Sequence, residues 1–320
     1  MSMKVLEDAV HVFERDTGMR VNSEKSMIMG LGTWKGEGMV SCNVVNMTAL
    51  SLKICGIIYR DDLDVAREEN SVRTLEKVIG CLGVLRPQHL TLAQRVIVVN
   101  VLLYSKVWHV VAVFPITGTA INGILRRVFT FLWGSRCDWL KREVVMLPVH
   151  RGGLGLLDLK RRVQCVFLKW RFGVCGCDGG NMEQVYMRLK KWYGGMELRE
   201  CEILLRALLM VREQKNIRIR VLSRLLGGTC AAPLEGLFPM YSWENIWLRF
   251  SKLKLRPRVR EVMFRFLHGI LPSGALLRSR RVVEGGGCGF CGGEDTAFHV
   301  VYFCEGLENV RGWLGRVVRH

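Results

Sequence analysis

Three cysteines and one histidine near the C-terminus have the types and the spacing needed to bind a metal ion. Cys288, Cys291, His299 and Cys304 form the pattern C-x2-C-x7-H-x4-C in a glycine-rich stretch. Zinc prefers thiolate and imidazole donors, and four protein ligands leave no open position for a substrate. The pattern therefore predicts a structural Zn²⁺ knuckle. The alternative is a glycine-rich loop with incidental cysteines, since the chain contains 12 of them.

The chain is strongly basic. It has 320 residues, enough for about two domains, and 49% of them are hydrophobic, which argues against a disordered chain. Lys and Arg number 47 against 29 Asp and Glu, a formal net charge of +18. Such an excess, dominated by arginine, favours RNA, DNA or another anionic surface as the partner.

Several basic clusters are candidates for contact with phosphate groups. Two lie on predicted helices in the middle of the chain, and two lie just before the cysteine pattern. Charge-driven contacts of this kind carry little sequence information, and the alternative is a solvated helix face. The candidates are Arg126, Arg127, Lys160, Arg161, Arg162, Lys252, Lys254, Arg256, Arg258, Arg278, Arg280 and Arg281.

No segment is predicted to be a secretory signal or a membrane span. Met1 to Phe13 contains Glu7 and Asp8 where a signal peptide would be apolar. The most apolar run, Val96 to Ile116, contains Lys106, which costs about 3 kcal/mol at the centre of a membrane. We expect a buried core helix there. The remaining cysteines form no disulfide framework, so the expected location is intracellular, nuclear or cytoplasmic.

Hydrophobic periodicity predicts a mainly α-helical chain that opens with one helix and a few short strands. One strand is expected from Leu50 to Tyr59. Helices then dominate, and Asp61 or Asp62 can cap the first of them. Thr91 to Gln94 reads as a capping box. Arg151 to Gly155 has the glycines of a phosphate loop but lacks its Lys-Ser/Thr ending, so a turn is expected.

Several phrases, in order, resemble the C-terminal part of LINE-type (non-LTR) retrotransposon reverse transcriptases. The family's zinc-binding module is matched by Pro272, Glu294 to Thr296 and the four metal ligands. Asn22 and Lys25 lie in its "G-L-x-x-N-x-x-K-S" phrase, which makes them further candidates for nucleic-acid contact. The other matching phrases are Gly18 to Ser26, Cys55-Gly56-Ile57, Leu92 to Arg95, Phe131 to Gly134 and Gly152 to Leu156.

This resemblance implies a palm-edge remnant at 1–60, a helical thumb and connection at 61–172, a helical linker region at 173–241 and a zinc-binding domain at 242–320. The parent family is an RNA-directed DNA polymerase in which aspartates hold two Mg²⁺ ions. Those aspartates lie upstream of the phrase that begins at Gly18. Only 17 residues precede Gly18 here, and none forms an Asp-Asp pair. We therefore expect a truncated fragment with no catalytic residues, inactive alone, that binds RNA, RNA–DNA or DNA duplex.

Three other interpretations stay open. The chain could form part of a polymerase whose palm and fingers are supplied by another polypeptide, and Mg²⁺ would then be required. It could be a zinc-stabilised protein–protein adaptor, or a chain with no stable fold. Tyr59-Arg60-Asp61-Asp62 spells the Y-x-D-D sequence of reverse transcriptases, but it follows the Asn22/Lys25 phrase and leads directly into a helix. It is interpreted as a helix cap.

Overall fold

The computed structural model describes residues 3–22, 24–29, 47–48, 51–174, 239–285, 287–309 and 312. This part of the chain is mostly helical, which confirms the prediction of a mainly α-helical chain. The predicted linker region 173–241 lies almost entirely outside the described residues, and the four domain boundaries stay predictions. The main helices are α1 (Met3–Thr17), α2 (Leu63–Val84), α3 (Leu92–Val98), α4 (Ser105–Val111), α5 (Gly118–Trp133), α6 (Arg142–Met146), α7 (Leu159–Val174), α8 (Trp243–Lys252), α9 (Pro257–Leu267) and α10 (Gly274–Ser279).

Short strands form two separate pairs among the described residues. Strand β1 (Met27–Ile28) pairs in parallel with β2 (Met47–Thr48). Strand β3 (Ser51–Ile54) pairs antiparallel with β4 (Ile57–Arg60). The prediction of a single strand from Leu50 to Tyr59 is therefore wrong. The chain reverses at Cys55 and Gly56, whose φ angles are both positive (49° and 82°), as a tight two-residue hairpin turn requires.

The described residues fall into two compact units, each made of several chain segments. The first unit takes its residues from Met1–Leu82, Leu103–Leu125 and Leu159–Leu226. The second takes its residues from Gly83–Leu102, Arg126–Asp158 and Gly227–His320.

In the first unit, the hairpin is fixed to α2 by a buried asparagine. The Asn70 side-chain amide donates to the carbonyl oxygens of Ile58 and Ala66, both at 2.7 Å, and its Oδ1 accepts from the backbone N–H of Ile58 at 3.0 Å. The amide nitrogen and the amide oxygen of Asn70 are thus both hydrogen-bonded. Ile57 packs with Ala66 and Phe114 in a small core below the hairpin.

Asp62 caps the start of α2. Its Oδ1 accepts from the backbone N–H groups of Asp64 (2.8 Å) and Val65 (3.3 Å). This satisfies two of the N–H groups that a helix leaves unpaired at its start. The interpretation of the Tyr59–Asp62 sequence as a helix cap is confirmed.

In the second unit, the capping box predicted at Thr91 is present and begins α3. Thr91 Oγ1 accepts from the N–H of Gln94, and Gln94 Oε1 accepts from the N–H of Thr91. The next free N–H, that of Leu92, donates at 3.1 Å to the Glu261 carboxylate on α9. A carboxylate at a helix N-terminus is favoured by the helix dipole, so Glu261 joins α9 to α3.

The Arg151–Gly155 sequence is a turn, as predicted. Gly152 and Gly155 have φ angles of 80° and 70°. Asn100 holds the turn, because its side chain donates to the Gly155 carbonyl and accepts from the Leu157 N–H, both at 3.0 Å.

The apolar run from Val96 to Ile116 is a series of helical segments: the end of α3, a π-helical turn (Val99–Leu103) and α4. Val96, Val99, Leu103 and Val107 are buried. Of the helices in the described part of the chain, none combines the length and the apolar character needed to span a membrane.

Candidate metal centre and nucleic-acid interface

The four predicted metal ligands come together in the structure. The Sγ atoms of Cys288, Cys291 and Cys304 and the ring nitrogen of His299 all lie within 4.8 Å of one another. The Cys288 and Cys304 sulfurs are 3.7 Å apart, and Cys291 Sγ lies 3.1 Å from His299 Nε2. Two thiolates on a tetrahedral zinc ion, with Zn–S bonds of about 2.3 Å, are about 3.8 Å apart. The Cys3His group could therefore hold a metal ion.

The first two ligands lie in a tight knuckle. The N–H of Cys288 donates to the carbonyl of Gly293 at 2.6 Å, and the N–H of Gly292 donates to the carbonyl of Cys288 at 2.8 Å. Gly292 has a φ of 73°, a conformation that glycine adopts without a steric penalty. A Cβ on Gly293 would meet both His299 Cε1 (3.4 Å) and Cys291 Sγ (3.5 Å). Both distances are ordinary van der Waals contacts, so the two ligands lie directly beside the Gly293 backbone.

Backbone amides stabilise the anionic form of the first ligand. Hydrogen bonds from the N–H groups of Phe290 and Cys291 lower the pKa of the Cys288 thiol to about 6. Burial and the neighbouring cysteines raise the pKa of the Cys304 thiol. The thiolate is the metal-binding form of cysteine, so these amides prepare Cys288 to bind an ion.

A single π-helical turn, His299–Phe303, begins at the third ligand and is followed directly by the fourth, Cys304. Its hydrogen bond from the Cys304 N–H to the His299 carbonyl measures 2.7 Å. This bond brings two residues five positions apart to the same side of the turn. Thr296 Oγ1 accepts from the His299 N–H at 3.0 Å and fixes the start of the turn. The T-x-x-H spacing of this bond is a local signal that sequence reasoning did not use.

Asp295 connects the knuckle to α10. Its Oδ2 accepts from the Gly274 N–H at 2.6 Å, and its carbonyl accepts from the Ala275 N–H at 2.9 Å. Arg278 also forms an ion pair with Glu294 at 3.2 Å. The metal-binding residues and α10 are therefore linked through the backbone as well as through side chains.

The charge changes sign between the stretch before the metal ligands and the stretch that contains them, residues 282–309, here called the metal module. Between residues 249 and 281 there are ten Lys or Arg residues and one acidic residue, Glu261. Between residues 282 and 309 there is no Lys or Arg, and there are five acidic residues. Of these two stretches, the basic charge therefore lies in 249–281, here called the basic segment, and not in the stretch that contains the four metal ligands.

Four of the predicted contacts lie close together in one largely exposed stretch of the basic segment. Lys252, Lys254, Arg256 and Arg258 are all exposed, and no ion pair engages them within the described residues. They follow one another at every second position from the end of α8 to the start of α9. The backbone at both ends of the connection, Leu253 and Arg256, is extended.

Arg260 and Arg280 of the segment contact backbone carbonyls. Arg260 donates from Nη1 to the Phe250 carbonyl at 3.1 Å and from Nη2 to the Leu253 carbonyl, so it holds the connection between α8 and α9. The Arg280 guanidinium lies 4.9 Å above the ring of Trp139 and donates to the carbonyls of Asp138 and Trp139. Arg281 is exposed and has a φ of 58°.

The other predicted contacts lie elsewhere. Arg126 and Arg127 are exposed on α5 in the second unit. Lys160, Arg161 and Arg162 form the first turn of α7 in the first unit, where the Arg162 guanidinium lies 6.0 Å from the ring centre of Trp108. Asn22 and Lys25 are exposed after α1, and Asn22 Oδ1 accepts from the Lys25 N–H. Nucleic-acid contact by these residues stays a prediction.

The Asp61-Asp62 pair lies directly before α2. In the part of the chain that the structure describes, neither aspartate belongs to a group of three or more potential metal ligands. Asp62 is already engaged by the start of α2.

No protein-family model and no curated protein matches the chain. The function must therefore be argued from the metal centre and the charge distribution.

Proposed function

We propose that this chain binds RNA or RNA–DNA duplex through the basic segment, with the Cys3His group holding a structural Zn²⁺ ion. The single observation that carries the proposal is the ten-to-one excess of basic over acidic residues between 249 and 281. Exposed, unpaired Lys and Arg side chains exchange their counterions for phosphate groups, which is the main source of affinity for nucleic acid.

The structure supports a preformed binding surface. Arg260 ties the connection between α8 and α9 to backbone carbonyls, and Arg280 packs on Trp139. The neighbouring exposed cations, Lys254 and Arg256, are therefore presented on a fixed backbone. A prearranged surface loses less conformational entropy on binding than a mobile one.

Zinc is the ion we propose for the centre. Three sulfurs and one imidazole nitrogen form the donor set typical of structural zinc, and the separation of Cys288 from Cys304 fits tetrahedral coordination. A bound ion would cross-link the knuckle to the π-helical turn. The hydrogen bonds of Asp295 to Gly274 and Ala275 would then connect α10 to the cross-linked knuckle.

The resemblance to LINE-type reverse transcriptases supports the same proposal. A thumb, a connection and a zinc-binding module would grip a template–primer duplex by its shape and backbone. The resemblance places the catalytic aspartates upstream of Gly18, so we propose that these 320 residues do not polymerise by themselves. Purified protein with a primed RNA template, Mg²⁺ and nucleotides should give no primer extension. Extension that depends on an added palm fragment would instead favour a polymerase part completed by another chain.

Binding to three fluorescent probes tests the main proposal: an RNA hairpin, an RNA–DNA duplex and a DNA duplex of equal length. Affinity should fall steeply and linearly on a log–log plot as salt rises from 50 to 200 mM. Duplexes of unrelated sequence should bind equally well. Weak binding with no salt dependence at 50 mM would overturn the proposal.

A further inference from the structure

Three exposed aromatic rings neighbour the metal ligands His299 and Cys304 along the chain, and a half-buried ring on α9 packs against two of them. Phe266 at the end of α9 packs against Phe298 (ring centres 5.5 Å apart) and Tyr302 (6.3 Å). Phe298 and Tyr302 lie nearly parallel at 6.2 Å, and Phe303 adjoins Tyr302 at 6.3 Å. These four residues are called the aromatic surface below.

The aromatic surface faces solvent. Phe298 is 44% exposed, Tyr302 56% and Phe303 70%. Val262, one turn before Phe266 on α9, is also exposed and extends the apolar area along the helix. Contiguous exposed apolar area rimmed by charge is typical of a site of macromolecular contact.

Phe266 belongs to the basic segment, whereas the stretch that carries Phe298, Tyr302 and Phe303 is acidic. No Lys or Arg occurs between residues 282 and 309, whereas Glu305 and Glu308 directly follow the π-helical turn and are exposed. Within the described residues no ion pair engages either glutamate. These two carboxylates repel phosphate groups and favour a cationic partner at this end of the surface.

We propose that the aromatic surface, with Glu305 and Glu308 at its rim, is a docking site for a partner-protein segment that carries both apolar and basic side chains. The apolar side chains cover Phe298, Tyr302 and Phe303, and the Lys or Arg side chains pair with the two glutamates. The metal centre fixes this part of the surface, since His299 directly follows Phe298 and Cys304 directly follows Tyr302 and Phe303. This inference does not depend on the proposed nucleic-acid binding.

The test uses the zinc-loaded full chain and two fluorescein-labelled peptides. One alternates Arg and Leu, and the other has Glu in place of each Arg. The net charge of +18 repels the Arg peptide from the protein as a whole, so its binding reports a local acidic surface. We expect the Arg peptide to bind at least tenfold more tightly than the Glu peptide.

Three double variants locate the binding site. Tyr302→Ala with Phe303→Ala should weaken Arg-peptide binding at least tenfold, and Glu305→Gln with Glu308→Gln at least threefold. Ile97→Ala with Val101→Ala removes equally exposed apolar side chains of the same unit and should leave the affinity unchanged. Zinc content, measured for each variant, shows whether the module is still folded.

Three results would overturn the inference. The first is equal binding of both peptides. The second is loss of single-stranded RNA binding, but not of peptide binding, in the Tyr302/Phe303 variant, which would make the surface a stacking platform for bases. The third is a wild-type dimer in sedimentation that becomes monomeric in this variant, which would assign the surface to a second copy of the chain.

Discussion

The indole ring of Trp247 lies directly against the backbone of Gly152. A Cβ at Gly152 would be 2.6 Å from Trp247 Cε2 and 2.8 Å from Nε1. His268 completes the arrangement, because its ring stacks on Trp247 at 4.9 Å and its Nε2 lies 2.7 Å from the Gly152 carbonyl. The glycine turn, α8 and the end of α9 are thereby packed together in the second unit.

Gly152→Ala should therefore destabilise the protein by about 3 kcal/mol or more, because a methyl group both collides with Trp247 and occupies a positive φ. Gly155→Ala is the matched control: its φ is similar, but the nearest atom, Val149 Cγ2, is 3.9 Å from the Cβ position. It should cost only about 1–2 kcal/mol from the backbone. Urea denaturation of both variants measures the difference, and equal losses would contradict the packing role of Trp247.

His268 should make stability depend on pH. Burial lowers its pKa to about 4, against an ordinary value of 6.5. Between these values the unfolded chain binds a proton that the folded chain does not, so stability falls as pH falls from about 6.5 to about 4. The loss should reach about 3 kcal/mol at the lower end. His268→Gln should show a smaller loss between pH 7 and pH 4.5, and an unchanged loss would count against a buried neutral imidazole.

Metal removal should unfold the second unit's C-terminal module. We expect about one equivalent of zinc per chain and tetrahedral cobalt(II) bands after exchange. Cys304→Ser should abolish zinc binding and the cobalt(II) bands. It should also lower the melting temperature, because it removes a fully buried ligand. Cys81→Ser on α2 is the matched control and should retain the metal. Full metal content in Cys304→Ser would contradict the assigned ligand set.

Asn70→Asp should destabilise the hairpin of the first unit by about 2 kcal/mol or more. The change keeps an acceptor for the Ile58 N–H but replaces the amide donor with an oxygen facing the Ile58 and Ala66 carbonyls. Asn122→Asp, on an exposed position of α5, should be nearly neutral. Thermal unfolding at pH 7 compares the two variants, and similar melting temperatures would show that Asn70 does not hold the hairpin.

The features that the sequence predicted correctly depend on short local patterns of residues. The Thr91 capping box, the Asp62 cap and the four ligands each depend on spacings of a few residues, which the backbone converts directly into geometry. The hairpin was missed because its turn carries Cys55 at a positive φ, a conformation in which cysteine is uncommon.

Long-range packing could not be predicted in this way. Gly152 and Trp247 are 95 positions apart, and nothing in either local sequence indicates their contact. The aromatic surface was overlooked for a related reason. Phe298, Tyr302 and Phe303 resemble core positions in the sequence, and only the π-helical turn directs them to solvent.

The most direct test of the proposed function compares two sets of four charge-neutralising substitutions. One set changes Lys252, Lys254, Arg256 and Arg258 to Gln. The other changes Lys53, Lys77, Lys106 and Lys141, which are also exposed, and alters the net charge equally. RNA-hairpin affinity is measured for each across a salt series. We predict a weaker affinity and a slope shallower by up to about 3 for the first set, and a wild-type slope for the second. Equal effects of both sets would show that net charge alone, and not the basic segment, governs binding.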